Sequence, residues 1–194
     1  FSSDSSEYSK IAKSFGAETP FLRPNAISND VATDLDFILH FLNWFRDNEN
    51  LMPDTIIHMR PTTPFRDPIL IDEAIELYLN TKDKTSMRSV HPMSESSYKT
   101  FEINEIGYLS NICDLDMNIE RTNKNRHSFP DTFIGNGYID ILNTEFILRN
   151  HMIHGSKSKA FVTPVTSEID TVEDFQFLEF QLKNNIELFN RVFI

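Results

Sequence analysis

The chain has 194 residues, enough for one domain with a sizeable core and few for two independent ones. Its 18 Lys and Arg against 29 Asp and Glu leave a formal charge of -11, which argues against a surface built for nucleic acid or an anionic membrane, since phosphate backbones are bound by clustered cations. Cys113 stands alone, which rules out an intrachain disulfide, and neither a membrane-length apolar run nor a leader is visible, so the expectation is a soluble, cytoplasmic protein.

In chain order, Phe1 to Ser3 read as the tail of a strand and Asp4 or Ser5 as an N-cap. A helix follows with Tyr8, Ile11, Ala12 and Phe15 on one stripe, closed by Gly16. The loop ETPFLRPNAISND leads to a second helix from about Val31 to Asp47, with Leu35, Ile38, Leu39, Leu42 and Phe45 at helical spacing. Thr55 to Met59 reads as a strand. The loop after it, PTTPFRDP, carries three prolines and two threonines with Arg60 just before it, far more than a strand-to-helix link requires, and loops of that kind tend to hold ligands. Asp67 then caps a helix with Pro68 in its first turn and Ile71, Ala74, Ile75, Tyr78 and Leu79 on its inner face.

Ser86 to Val90 is the next strand, and strand, helix and strand with short links predict a βαβ unit with a right-handed crossover in a parallel sheet. Residues 91–130 are polar and weakly periodic and read as an excursion from the core. Beyond them, Tyr138 to Leu142 and Ala160 to Thr163 read as strands, Thr144 to Asn150 as a short helix, and Thr171 to Leu188 as a helix with Phe175, Leu178, Leu182 and Ile186 on one stripe.

Glu168 and Asp170 are two apart in an extended segment, so both carboxylates can face one Mg²⁺, a hard cation that takes oxygen ligands and shares them with phosphates. The competing reading makes Asp170 and Glu173 a capping box. His151 and His154 form an H-x-x-H with no third ligand in sight, which fits a helix end at the surface better than a metal site. Lys99, Arg121, Lys124 and Arg126 form either a solvated face or the cations that meet an anionic substrate. GNG at Gly135 to Gly137 is too short for a dinucleotide fingerprint and allows close backbone approach only.

Five segments, taken together and in this order, resemble the acylneuraminate cytidylyltransferases, the CMP-sialic acid synthetases and their relatives for other nonulosonic acids. SSDSSEYSKIAKSFGAETPFLRPNAISND looks like the family's STD, KYGAE and RPxxLAxD region, and RPTTPFRDPILIDEAIEL like its QPTSPLR and helix. KTFEI, GNGYIDIL and SEIDTVEDFQFLEFQL resemble the later KT, PNGAIYI and SIDIDTExDF segments. The resemblance implies a three-layer, Rossmann-like, mostly parallel α/β sheet of the nucleotide-diphospho-sugar transferase type, one domain over 1–194. It also implies a homodimer made through the 91–130 excursion.

The implied reaction joins the anomeric hydroxyl of a 2-keto sugar acid to the α-phosphate of CTP, with Mg²⁺ on the phosphates. By position, Arg23, Ser28 and Asp30 fall on the cytidine side, Thr62 and Thr63 beside the sugar with Asn136, and Lys99 and Arg126 around the sugar carboxylate. Asp170 matches the second Asp of the family's DID motif, a metal ligand, and Glu168 replaces the first. Arg60 stands where sialic acid synthetases have Gln, Ile134 where they have Arg and Asp140 where they have Tyr. The acid is therefore left open among sialic, legionaminic and pseudaminic types. The family's first strand and its ARxxSKGLPxKN phosphate loop have no counterpart in these residues, which implies a truncated record of a complete enzyme or a chain that does not catalyse alone. Two readings compete with this one: a non-catalytic module of the same fold, and a nucleotidyltransferase for another sugar.

Overall fold

The computed structural model of the chain describes residues 1–113 and 119–193. Its strands are β1 (Thr55–His58), β2 (Ser86–Pro92), β3 (Phe101–Ile103), β4 (Leu109–Asn111), β5 (Phe133–Asn143) and β6 (Ser158–Val162). Its helices are α1 (Ser6–Ser14), α2 (Asp34–Glu49), α3 (Pro68–Asn80), α4 (Thr144–Asn150), α5 (Val172–Asn184) and α6 (Ile186–Phe193). The main sheet has the order β1-β5-β2-β6, in which β2 and β6 pair parallel and β5 pairs antiparallel with both β1 and β2. Thus β1, β2 and β6 share one direction. The β1-α3-β2 unit forms as the sequence predicts, but β5 enters later in the chain and separates its two strands.

Alternation along β5 sorts the core into two layers. Ile139 and Ile141 join Met87 and Phe161 beneath Ala74 and Tyr78 of α3, while Leu142 on the opposite face packs with Ile38 and Leu42 of α2 and Ile147 of α4. α3 forms where expected because Asp67 accepts from the Ile69 amide at 2.9 Å and Pro68 opens the first turn, where no amide is needed. α2 starts three residues later than Val31, since Thr33 and Asp36 close a capping box there.

A register shift falls between Arg88, opposite Asp140, and Val90, opposite Gly135. The extra residues bulge out of β5, and the Ser89 hydroxyl fills the gap by accepting from the Ile139 amide at 2.9 Å and donating to the Asn136 carbonyl at 3.2 Å. GNG therefore lies inside a strand, not ahead of one, because the bulge carries β5 through it.

Other expectations are corrected. Phe1 to Ser3 are not in a strand; the Ser3 carbonyl accepts from the Arg23 amide instead. Ser5 does cap α1, but the Tyr8, Ile11 and Phe15 side chains face solvent, Phe15 at 87% exposure, and Ser9 is the residue α1 buries. The last helix breaks at Asn185, whose extended backbone separates α5 from α6. Within 91–130, β3 and β4 form a hairpin of their own around Gly107; residues 114–118 of that excursion lie outside the described residues.

Candidate functional site

The PTTPFRDP loop leaves the carboxyl end of β1, the segment with Glu168 and Asp170 leaves the carboxyl end of β6, and the bulged half of β5 runs alongside the same end of β2. In open α/β sheets that is the edge at which ligands bind. Arg66 fixes the loop there. Its guanidinium donates to the carbonyls of Tyr138 at 2.6 Å, Gly137 at 2.7 Å and Arg60 at 2.6 Å, and the Tyr138 hydroxyl accepts from the Asp67 amide at 2.6 Å.

Gly137 is where the three segments meet. Its amide donates to Glu168 Oε1 at 2.6 Å, Thr63 Oγ1 reaches the same oxygen at 3.5 Å, and the Ile169 amide donates to the Thr62 carbonyl at 2.8 Å. A Cβ on Gly137 would stand 2.5 Å from Thr63 Oγ1 and 3.0 Å from Glu168 Oε1. Thr63 is buried and has nowhere to go. Gly137→Ala is expected to destabilise the fold by about 1–3 kcal/mol through overpacking, read as a melting temperature roughly 2–12 °C lower; an unchanged melting curve would show that this junction is loose.

Glu168 thus has one oxygen committed to the backbone. Asp170 is exposed, and its carboxylate has no partner among the described residues. It is not the cap of α5: the box is made by Thr171 and Asp174, with Asp174 Oδ2 accepting from the amides of Asp170 and Thr171 at 3.1 and 2.8 Å. No three His, Cys, Asp or Glu side chains converge among the described residues. A Mg²⁺ that keeps waters and takes one or two carboxylates plus substrate phosphates needs no such trio, and Asp170 with the second oxygen of Glu168 fits that demand.

Beside the loop, β1, β5 and β2 set His58, Asp140 and Arg88 opposite one another. Asp140 is 1% exposed, and Arg60 Nη1 donates to its Oδ2 at 3.0 Å. Arg60 Nη2 donates to Asp34, in the first turn of α2. Burial first, and then the Arg60 charge, push the His58 imidazole below its ordinary value, so it stands neutral near pH 7 and Arg60 is the counter-charge of Asp140. Arg60 and Asp140, both read as departures from the family pattern, are therefore partners.

Arg23, Ser28 and Asp30, which the resemblance implies for a cytidine side, lie on the adjoining loop. Arg23 is half-buried with its guanidinium carbon 5.3 Å from the centre of the Phe37 ring, and among the described residues its buried Nε has no hydrogen-bond partner, an unfilled donor that suits a ligand. Phe37 packs in turn on His58 at 5.3 Å, which joins this loop to the Arg60 cluster. Ser28 Oγ donates to the Pro24 carbonyl at 3.0 Å, and Asp30 is exposed.

Asn136 is buried inside the bulge. Its amide nitrogen faces His91 Nδ1 and Thr163 Oγ1, both at 3.0 Å, and its oxygen accepts from the Tyr138 amide at 3.2 Å, so its polar atoms shape the strand. Lys99 and Arg126 sit in short turns of the excursion, and no hydrogen bond or ion pair joins either to the Arg60 cluster among the described residues. Arg126 donates to the Met93 carbonyl at 2.9 Å and borders an open groove of about 680 Å³ lined also by Pro92, Ser96 and Phe129. His151 is the left-handed C-cap of α4, while His154 turns inward to Ser86 Oγ at 3.0 Å, so the pair does not converge on a metal.

Sequence reasoning missed Asp34, His58, Arg66 and Arg88. The available signal was Asp140 itself, a charge in the apolar run YIDIL that had to find partners once buried.

No protein-family model matches the chain. It is similar to the N-acylneuraminate cytidylyltransferase of Escherichia coli, 30% identical over 97% of this chain and 44% of that protein. It is also similar to the CMP-N,N'-diacetyllegionaminic acid synthase of Legionella pneumophila, 26% identical over 96% of this chain and 78% of that one. The pseudaminic acid cytidylyltransferase of Campylobacter jejuni is 24% identical over 96% of the chain and 78% of its own length. The chain therefore spans under half of the first relative and about three quarters of the other two. A solved CMP:2-keto-3-deoxy-manno-octonic acid synthetase complexed with CTP matches 94% of the chain and 79% of its own, with a TM-score of 0.62 and 12% identity, which establishes a shared fold.

Proposed function

We propose that this homologue of N-acylneuraminate, legionaminate and pseudaminate cytidylyltransferases serves a CTP-dependent site that activates a nonulosonic acid. The observation that carries the reading is the convergence at Gly137, where the threonine loop, the bulged strand and the Glu168 to Asp170 segment meet at the carboxyl edge of the sheet. In the reaction, the anomeric hydroxyl oxygen forms a bond to the α-phosphorus of CTP. The bond from that phosphorus to the bridging oxygen breaks, pyrophosphate leaves and the hydroxyl proton is released.

Arg23, with Ser28 and Asp30, holds the cytidine side, and Thr62 and Thr63 with Arg60 line the sugar side. Asn136 acts as a positioning residue that holds the bulge, while Lys99 and Arg126 bring positive charge to the acid in a chain whose formal charge is -11. Asp170 and the free oxygen of Glu168 would hold Mg²⁺. When bound, the ion neutralises phosphate charge and polarises the attacking hydroxyl. The hairpin of the excursion exposes Ile103, Ile106 and Tyr108 at 73, 78 and 69%, which favours its use as a contact between two copies in a cytoplasmic homodimer.

The test is pyrophosphate release by the full-length protein with CTP and a panel of sialic, legionaminic, pseudaminic and 3-deoxy-octulosonic acids. Release that requires both CTP and one of the acids is the expected result. Release with another nucleotide in place of CTP, or none with any acid, overturns the reading.

A further inference from the structure

Among the described charged side chains around Asp140, Arg88 alone keeps both of its outer nitrogens uncommitted. Both terminal nitrogens of Arg60 are engaged, one by Asp140 and one by Asp34, and Arg66 is tied to backbone carbonyls through Nε and Nη2. Arg88 touches the cluster only through Nε, 3.9 Å from Asp140 Oδ1, and its side chain is 45% exposed. Its Nη atoms donate no hydrogen bond among the described residues. Asp140 Oδ1 is itself buried without a hydrogen-bond partner among the described residues, so the cluster holds an acceptor not quite reached and a guanidinium fork not yet used.

The strand geometry gives that fork a fixed place. Arg88 projects from β2 opposite Asp140 and lies over Gly135 of the neighbouring strand, where a Cβ would come within 3.0 Å of its Nε. Glycine there leaves a shallow seat in which the planar group rests, beside the loop edge where the other site residues converge. A side chain on a paired strand is held more closely than one on a loop.

We propose that Arg88 binds the carboxylate of the sugar acid directly, through a bidentate pair from its terminal nitrogens, while Lys99 and Arg126 in the excursion attract the acid at longer range. The inference rests on the cytidylyltransferase reading and adds to it a specificity residue. A small approach of Nε to Asp140 Oδ1 satisfies the buried acceptor and turns the outer N–H pair toward the ligand, the arrangement in which Arg recognises planar anions. A phosphate of the nucleotide offers similar oxygens, and the experiment separates the two.

Equilibrium binding of the sugar acid by calorimetry, which needs no turnover, compares the wild type with Arg88→Met and Arg88→Lys, each also titrated with the carboxamide analogue of the acid. The expected result is a loss of affinity on the order of 10- to 100-fold in Arg88→Met, a smaller loss in Arg88→Lys, and no discrimination between acid and carboxamide in Arg88→Met. CTP affinity stays within about twofold, since no nucleotide group is at stake. Gly135→Ala, which displaces only the end of a flexible side chain, is expected to weaken acid binding in the same direction. The proposal is overturned if Arg88→Met binds the acid as the wild type does, if it keeps the preference for acid over carboxamide, if CTP loses affinity equally, or if the wild type binds no acid at all. Absence of pyrophosphate release with acid binding still dependent on Arg88 would instead overturn the reaction and leave the carboxylate site standing.

Discussion

Replacing Asp170 with Ala is expected to lower pyrophosphate release by on the order of 10³-fold while leaving the melting temperature unchanged. On the proposed function, the magnitude follows from losing one anionic ligand of an ion that would supply several kcal/mol of charge stabilisation, at 1.36 kcal/mol per decade of rate. The unchanged stability follows from the structure, since the Asp170 carboxylate has no partner among the described residues and the cap of α5 belongs to Thr171 and Asp174. Asp174→Ala is the matching control: it should disturb the start of α5 and leave turnover of the folded protein nearly intact. Steady-state rates with melting curves for both variants decide the matter. A near-normal rate for Asp170→Ala in Mg²⁺ would remove Asp170 from the chemistry.

Asp140→Asn is expected to be the most destabilising single change in the site. Asp140 is fully buried and is the anion against which Arg60 is set, and removing one partner of a buried pair costs about 3–5 kcal/mol. Arg60 keeps Asp34 and is partly exposed, so the lower end, about 3 kcal/mol, applies; that is a fall of roughly 6–12 °C in melting temperature. Arg60→Gln alone should also destabilise, because it leaves a buried carboxylate short of its nearest cation. The double variant should cost clearly less than the two single changes added together, as a coupled pair requires. Strict additivity would show that the two charges do not stabilise each other.

Local chemistry made much of this fold legible. The Asp67-Pro68 start of α3, the Ser5 cap of α1 and the apolar stripe of α2 are written within a few neighbouring residues. Strand order is not, and nothing in the periodicity of Phe133–Asn143 reveals that it slips between β1 and β2 with its direction reversed. The site divides in the same way. The threonine loop and the two carboxylates were visible as motifs, whereas the Arg60 to Asp140 pair joins positions 80 residues apart and exists only through sheet register. Asn136 shows the opposite case: a polar residue in a motif whose amide the bulge takes up internally. The Tyr8, Ile11 and Phe15 stripe is a further one, since amphipathic spacing specifies a sticky face and not what covers it.

Arg66 links two pieces of backbone that most folds let move separately. With carbonyls on the loop and on the bulged strand gripped by one guanidinium, the proline-rich turn cannot swing away unless the strand edge goes with it. A ligand arriving at this edge therefore meets a wall whose shape was set during folding. Little of its binding free energy goes into ordering the loop, and selectivity among ligands then lies in how well each matches a rigid surface.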